Sequence, residues 1–263
     1  MSLRLEGKSI VVVGGTTGLG LSAAKAFVGE GARVVVVGRS PESAQAAESE
    51  LGEAGVAYVG DASDSSTAVA AIELATERFG GFHGLYHVAG GSGRKFGDGP
   101  LHEITDDGWQ ATLDLNLTSL FNSNRAAVRY FLEEGMHGTI LNMGSVLGWS
   151  PSPAFFSTHA YATTKAALEG LTKVMAAELG PKQIRTGCIL PGAVSTELNL
   201  RAGLFTAEEA KDRYNAVAGL HALGRIGTGT EIAEGVEYLI CAEWVTGVAL
   251  EVDGGIGLGA SNF

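Results

Sequence analysis

Tyr161 and Lys165 lie four residues apart in Tyr161-Ala162-Thr163-Thr164-Lys165, inside a stretch whose pattern reads as helix. That spacing puts a phenol and an ammonium on one helical face. A free tyrosine has a pKa of about 10 and transfers protons poorly at neutral pH. Bringing it to near 7 takes ~4 kcal/mol of differential interaction. One cation at ~4 Å, at an effective dielectric of roughly 20, supplies about that much. The expectation is that Lys165 makes Tyr161 acidic enough to serve as general acid or base without a metal or a histidine. Tyr-x-x-x-Lys also arises by chance on solvated helices, so its meaning depends on what surrounds it.

The elements that must position the pair are legible as an alternation. Short β-branched runs at 9–13, 33–37, 56–59, 84–88, 139–143, 184–190 and 248–252 read as strands. Most are nearly all apolar, as in parallel strands covered on both faces. Longer Ala-rich segments at 19–30, 41–54, 65–79, 107–134, 159–179 and 231–241 read as helices. Ser40-Pro41 and Asp64-Ser65 are helix starts, and Gly31, Gly80 and Gly180 stand where helices should end. The pattern predicts an α/β, doubly wound, Rossmann-type fold: a seven-stranded parallel sheet flanked by helices, in three α/β/α layers. Residues 1–263 read as one domain for dinucleotide binding and catalysis. The polar segment 193–227 is either a helical substrate flap over the carboxyl edge of the sheet or an ordinary surface insertion.

Composition bounds the function. The chain has 263 residues, 45% hydrophobic, enough for one large core. Lys+Arg 18 against Asp+Glu 29 leaves a net charge of -11, which argues against nucleic acid and against an anionic membrane surface. No apolar run approaches the ~20 residues of a membrane span. From Lys8 the sequence enters a strand directly, with no signal-peptide organisation. Cys188 and Cys241 have no metal or redox spacing and sit in apolar stretches, so they read as buried, reduced thiols of a cytoplasmic protein. His83 and His87 are four apart but straddle a strand, and no metal site is read there.

The first strand runs into Gly14-Gly15-Thr16-Thr17-Gly18-Leu19-Gly20 and then a helix. Glycines at 14, 18 and 20 permit a sharp turn and a close approach to a pyrophosphate, which the helix N-terminus would hold. The competing reading is a tight structural turn. After the second strand comes Gly38-Arg39-Ser40 where an acidic residue would select NAD. Glycine leaves room there, Arg39 can pair with a 2′-phosphate and Ser40 can donate to it, so NADP(H) is preferred with NAD(H) possible. Arg39 as a merely solvated charge is the alternative. Asp61, in Gly60-Asp61-Ala62, either meets the adenine edge or caps the helix that begins near Asp64.

Together these pieces resemble the short-chain dehydrogenase/reductase family in its compact single-domain form, over essentially the whole chain. Gly14, Gly18 and Gly20 match the family's glycine turn, with Val13 where threonine is usual. His87-Val88-Ala89-Gly90 corresponds to its Asn-Asn-Ala-Gly. Trp109 with Asn116-Leu117 fits the helix that bears the active-site asparagine. Ser145, Tyr161 and Lys165 fit the catalytic serine, tyrosine and lysine. Pro191-Gly192 with Val194 and Thr196 fits the segment near the nicotinamide, and Val252-Asp253-Gly254-Gly255 the end of the last strand.

The resemblance implies hydride transfer between a nicotinamide and a small-molecule carbonyl or alcohol. Tyr161 would be the acid/base and Ser145 would orient the substrate oxygen. Lys165 would lower the tyrosine pKa and anchor the ribose, and Asn116 would hold a proton-relay water, with a purely structural hydrogen bond as the rival role. Ala62, Ala89 and Gly90 would line the cofactor. A homotetramer is implied, with a dimer as the alternative, in contact through helices around 113–121 and 162–171.

Two departures bear on this. His87 and Val88 replace both asparagines, so the local contacts that support the cofactor should differ. The Ser145–Tyr161 gap is longer than usual, and the extra residues fall within 149–159, where Trp149, Phe155 and Phe156 make either an apolar pocket wall or a subunit contact. Arg94 and Lys95 would favour an anionic substrate or else are solvated.

Overall fold

The computed structural model describes residues 3–150, 158–195 and 206–259. Its strands are β1 Ser9–Val13, β2 Arg33–Gly38, β3 Gly55–Val59, β4 Gly84–His87, β5 Gly138–Met143, β6 Ile184–Pro191 and β7 Val248–Val252. All pair in parallel, in the order β3-β2-β1-β4-β5-β6-β7. The helices are α1 Gly18–Gly29, α2 Pro41–Leu51, α3 Ser65–Phe79, α4 Asp106–Leu113, α5 Ser119–Glu133, α6 His159–Leu179, α7 Ala207–Ala218 and α8 Gly229–Cys241. The strand order reverses between β1 and β4, which opens a crevice at their carboxyl ends. The doubly wound, seven-stranded parallel fold expected from the sequence is the observed one.

The all-apolar strands have the predicted cause. Ile10 and Val12 of β1, with Val34 and Val36 of β2, face a core shared with Phe27 of α1, Leu51 of α2 and Val236 of α8. Val11, Val13, Val35 and Val37 point the other way, against Ile72 of α3, Phe131 of α5 and Leu179 of α6. Both faces are therefore dry, and a period-two polar pattern has nowhere to appear.

One helix expectation fails in an informative way. The stretch read as a single helix over 107–134 is α4 and α5 joined by a π-helical turn, Asp114–Thr118. A π turn inserts one residue without interrupting apolar periodicity for long, so the pattern conceals it. Asn116 sits inside that turn.

Candidate active site

The carboxyl ends of the strands bring the predicted residues to one edge. Ser145 follows β5, is 8% exposed, and accepts a hydrogen bond from Leu147 N at 3.2 Å to start the short turn Val146–Gly148. Tyr161 stands in the first turn of α6 with its phenol close enough to the Ser145 side chain to interact with it. Lys165, one turn on, is buried. Its Nζ donates to Met143 O at 2.7 Å and lies 5.5 Å from the centre of the Tyr161 ring.

Burial dominates the electrostatics of the pair. Burial raises the Tyr161 pKa above its ordinary value, and the interaction with Ser145 opposes this only in part. One of the three Lys165 Nζ donors goes to Met143 O, and burial pulls the lysine pKa down to about 8, with Cys188 opposing. At neutral pH the lysine is still mostly protonated, and its charge lowers the pKa of the neighbouring His87 and Cys188.

Asn116 is buried and its amide is engaged on both sides. Oδ1 accepts from Gly91 N at 2.9 Å, while Nδ2 donates to Gly91 O and to Thr112 O, each at 3.0 Å. A Cβ built on Gly90 would lie 2.7 Å from Asn116 Oδ1 and 3.8 Å from Lys165 Nζ. The glycine thus lets the strand-four loop pass between amide and ammonium. These bonds supply the structural contacts of one of its two expected roles.

At the nucleotide end, Gly14 adopts φ +85°, and a Cβ there would lie 2.6 Å from Ala89 N. The turn after β1 is thereby locked against the end of β4. Thr17 is the N-cap of α1 but makes no side-chain cap bond, and no acidic residue lies in the first turn. Every other helix that begins from coil among the described residues is capped. Ser40, Asp64, Thr105, Thr206 and Thr228 cap α2, α3, α4, α7 and α8, and a distant carboxylate serves α6. Open space surrounds a Cβ built at Gly18. Bare donors at a positive helix end, with room in front, fit a dinucleotide pyrophosphate.

Cofactor selection is less simple than the sequence reading. The room beside Gly38 is filled by the buried Thr16 side chain, with the Thr16 Cβ 2.9 Å from a Cβ built on Gly38. Ser40 Oγ accepts from Ser43 N at 3.1 Å and donates to Glu42 Oε2 at 2.7 Å, so its proton is already placed. Arg39 lies 3.8 Å from Asp61 across an exposed ion pair. Asp61 accepts from Ser63 N and Oγ at 2.9 and 2.7 Å, while Asp64 is the cap of α3. Ala62 is partly buried beside them.

Pro191 ends β6, and Gly192 packs on the Asp253 backbone. Val194 forms a parallel bridge with Gly227. Thr196, Phe155 and Phe156 lie outside the described residues, as do most of the longer Ser145–Tyr161 connection and the 196–205 part of the expected flap. Trp149 is partly exposed and would touch a Cβ on Gly257 at 2.5 Å, so it rests on the C-terminal turn. Lys95 packs over its neighbour Phe96, 4.6 Å from the ring centre. Cys188 and Cys241 are free thiols, the first buried and the second partly so. No metal-binding cluster and no membrane-spanning helix occur among the described residues.

Three polar residues at this edge were not singled out as site residues. Asp98 is buried, and its carboxylate accepts from Ala160 N at 3.0 Å and Tyr161 N at 2.9 Å. His221 Nε2 accepts from Ala193 N at 3.2 Å while Nδ1 donates to Val217 O at 3.1 Å. His87 was noted only as a departure, yet its ring supplies a donor and an acceptor. Nε2 donates to Ala89 O at 3.0 Å, and Nδ1 accepts from Ser123 Oγ at 2.6 Å. Burial lowers its pKa to about 3, so the ring is neutral and the carbonyl partner fixes the tautomer.

This fold and this edge agree with what the chain is similar to. A family profile described as "Enoyl-(Acyl carrier protein) reductase" matches residues 13–257. The 3-alpha-(or 20-beta)-hydroxysteroid dehydrogenase of Mycobacterium bovis is 36% identical over 97% of this chain and 91% of its own length. The 2,5-dichloro-2,5-cyclohexadiene-1,4-diol dehydrogenase LinX of Sphingobium indicum is 31% identical over 98% of this chain and 100% of its own. A solved short-chain dehydrogenase/reductase from Serratia marcescens superposes with a TM-score of 0.82 at 33% identity, covering 97% of this chain and 99% of that one. The chain belongs to the short-chain dehydrogenase/reductase family. It is an NAD(P)-dependent oxidoreductase of alcohol and carbonyl groups.

Proposed function

We propose that the protein interconverts a secondary alcohol and its ketone with NADP(H), and that Tyr161, Ser145, Lys165 and Asn116 form its catalytic centre. The convergence of Ser145, Tyr161 and Lys165 beyond β5 carries this reading. The bound nicotinamide supplies or accepts the hydride. Ser145 orients the substrate oxygen by a hydrogen bond, and the Tyr161 hydroxyl gives its proton to that oxygen as negative charge develops there. Lys165 stabilises the resulting phenolate and binds ribose hydroxyls. Asn116 keeps the Gly90-Gly91 loop open between itself and Lys165.

The pyrophosphate is assigned to the bare N-terminus of α1, formed by Thr17, Gly18, Leu19 and Gly20, beside Gly14 and Thr16. Asp61, Ala62, Ala89 and Gly90 border the adenosine and nicotinamide ends, and Pro191, Gly192, Val194 and Thr196 the carboxamide side. Arg39 favours NADP(H) by charge. The bond from Ser40 to Glu42 favours the second reading, an NAD-preferring dehydrogenase, because it spends on a carboxylate the hydroxyl that would serve a 2′-phosphate.

One domain carries both cofactor and substrate, with 193–227 as the substrate flap, in a cytoplasmic homotetramer. The names of the relatives support a ring-borne alcohol or ketone as the substrate class, and Trp149 supports an apolar wall. The test is coenzyme oxidation with cyclohexanone, acetophenone and progesterone, and reduction with the matching alcohols. NADPH should turn over with at least one ketone, at a higher kcat/KM than NADH. No turnover of either coenzyme with any pair would overturn the enzymatic assignment, and a clear NADH advantage the coenzyme assignment.

A further inference from the structure

We infer that Asp98 is the positioning residue that sets Tyr161 in place, acting as a remote N-cap for the helix that carries it. An N-cap side chain ordinarily accepts from the N–H groups of the second or third helical residue. In α6 those residues are Ala160 and Tyr161, and the local N-cap, Thr158, makes no side-chain cap bond. Asp98 takes both donors, one on each carboxylate oxygen, from 62 and 63 positions away in the chain.

Asp98 is itself held. Its N–H donates to Gly93 O at 3.1 Å, which closes the turn over Gly93–Phe96, and a Cβ on Gly93 would lie 2.9 Å from its own Cβ. A second tie runs in parallel, with His159 Nδ1 donating to Gly99 O at 2.9 Å. The loop after β4 and the start of α6 are thus one unit. The carboxylate is only 3% exposed and no cation pairs with it in a salt bridge among the described residues. Its charge is held by two N–H groups at the positive end of a helix. The backbone N–H of Tyr161 is one of the two, so any loosening of Asp98 moves the phenol directly.

This inference rests on the proposed role of Tyr161, and its test separates the two. Asp98→Asn keeps the shape but turns an amide NH₂ toward one of the two N–H donors. With the most active ketone of the panel above, kcat should fall ~10- to 100-fold, as expected for a misplaced catalytic group. KM and the NADPH Kd should change less than ~3-fold, because the substitution touches neither ligand. Asp98→Glu, which keeps the charge, should recover part of kcat.

A readout that needs no substrate is the tyrosinate absorbance of the enzyme against Tyr161→Phe. In Asp98→Asn the Tyr161 titration should move down toward its ordinary value of about 10 as the phenol loosens. An Asp98→Asn enzyme with wild-type kcat and an unmoved Tyr161 titration would overturn the inference. So would failure of that variant to fold, which would make Asp98 a folding residue. If Tyr161→Phe itself kept full turnover, the catalytic reading of the site would fall instead, and the absorbance titration would still decide the role of Asp98.

Discussion

Lys165 Nζ donates to Met143 O at 2.7 Å, which fixes the ammonium to the last residue of β5, two positions before Ser145. The lysine is therefore anchored to the strand that carries the serine and to the helix that carries the tyrosine. Burial holds its pKa at about 8, against an ordinary value of 10.5. Below pH 8 the folded state bears the full cost of a buried ammonium. Between 8 and 10.5 the unfolded chain binds the extra proton, so stability rises with pH across that window. Lys165→Met removes this dependence. In urea unfolding without coenzyme, the variant's advantage should shrink by roughly 3 kcal/mol from pH 7.5 to 10.5. A constant gap would show that the ammonium is not desolvated.

Tyr161→Phe deletes the hydroxyl and its interaction with Ser145 while leaving the ring and the α6 backbone in place. Turnover should fall by ~10²- to 10⁴-fold. The NADPH Kd, measured by fluorescence, should stay within ~2-fold. Retained turnover would remove Tyr161 from the acid/base role.

His87 has the opposite pH window. Its ring stays neutral in the folded state down to about pH 3, whereas an unfolded histidine titrates at 6.5. As pH falls through that interval the unfolded chain takes up a proton that the native ring refuses, and stability is lost. Between pH 6.5 and 3 the wild type should lose up to roughly 5 kcal/mol more than His87→Asn. Parallel acid-unfolding curves would show that the ring reaches solvent.

Arg39→Asp should reverse the coenzyme ratio, since a carboxylate there repels a 2′-phosphate and accepts from a ribose hydroxyl. The present pair with Asp61, at 3.8 Å and exposed, contributes little to stability, so the folded fraction should not change. The readout is kcat/KM for NADPH over NADH, with a shift of at least ~10-fold expected. An unchanged ratio would place phosphate recognition elsewhere.

The sheet was legible because each strand is a dense β-branched run, and six of seven helices that begin from coil have starts that their own sequence explains or leaves open. The exception is α6. Its capping carboxylate is Asp98, which belongs to a different segment, so no window around 158–161 contains it. The π turn at Asn116 was hidden for a related reason: a one-residue slip within a long helical pattern leaves the apolar stripe nearly intact. The motif residues of the site were readable as types and spacings. Their burial was not, because Lys165 and Tyr161 are desolvated by residues distant in sequence.

The bridge between Val194 and Gly227 closes a long connection on itself. Gly227 N donates to Ala193 O at 2.9 Å and Ser195 N to Gly227 O at 3.1 Å, so the chain leaves the scaffold and rejoins it at one clasp. Once its ends are joined, lengthening the intervening stretch costs only about 0.6 kcal/mol per doubling. Further along the same stretch, His221 accepts from Ala193 N and Leu223 N donates to Gly254 O, so its C-terminal part is tied back to the scaffold. Extra residues placed between this clasp and α7 would leave both ties intact, whereas changes around His221 would reach the end of the last strand.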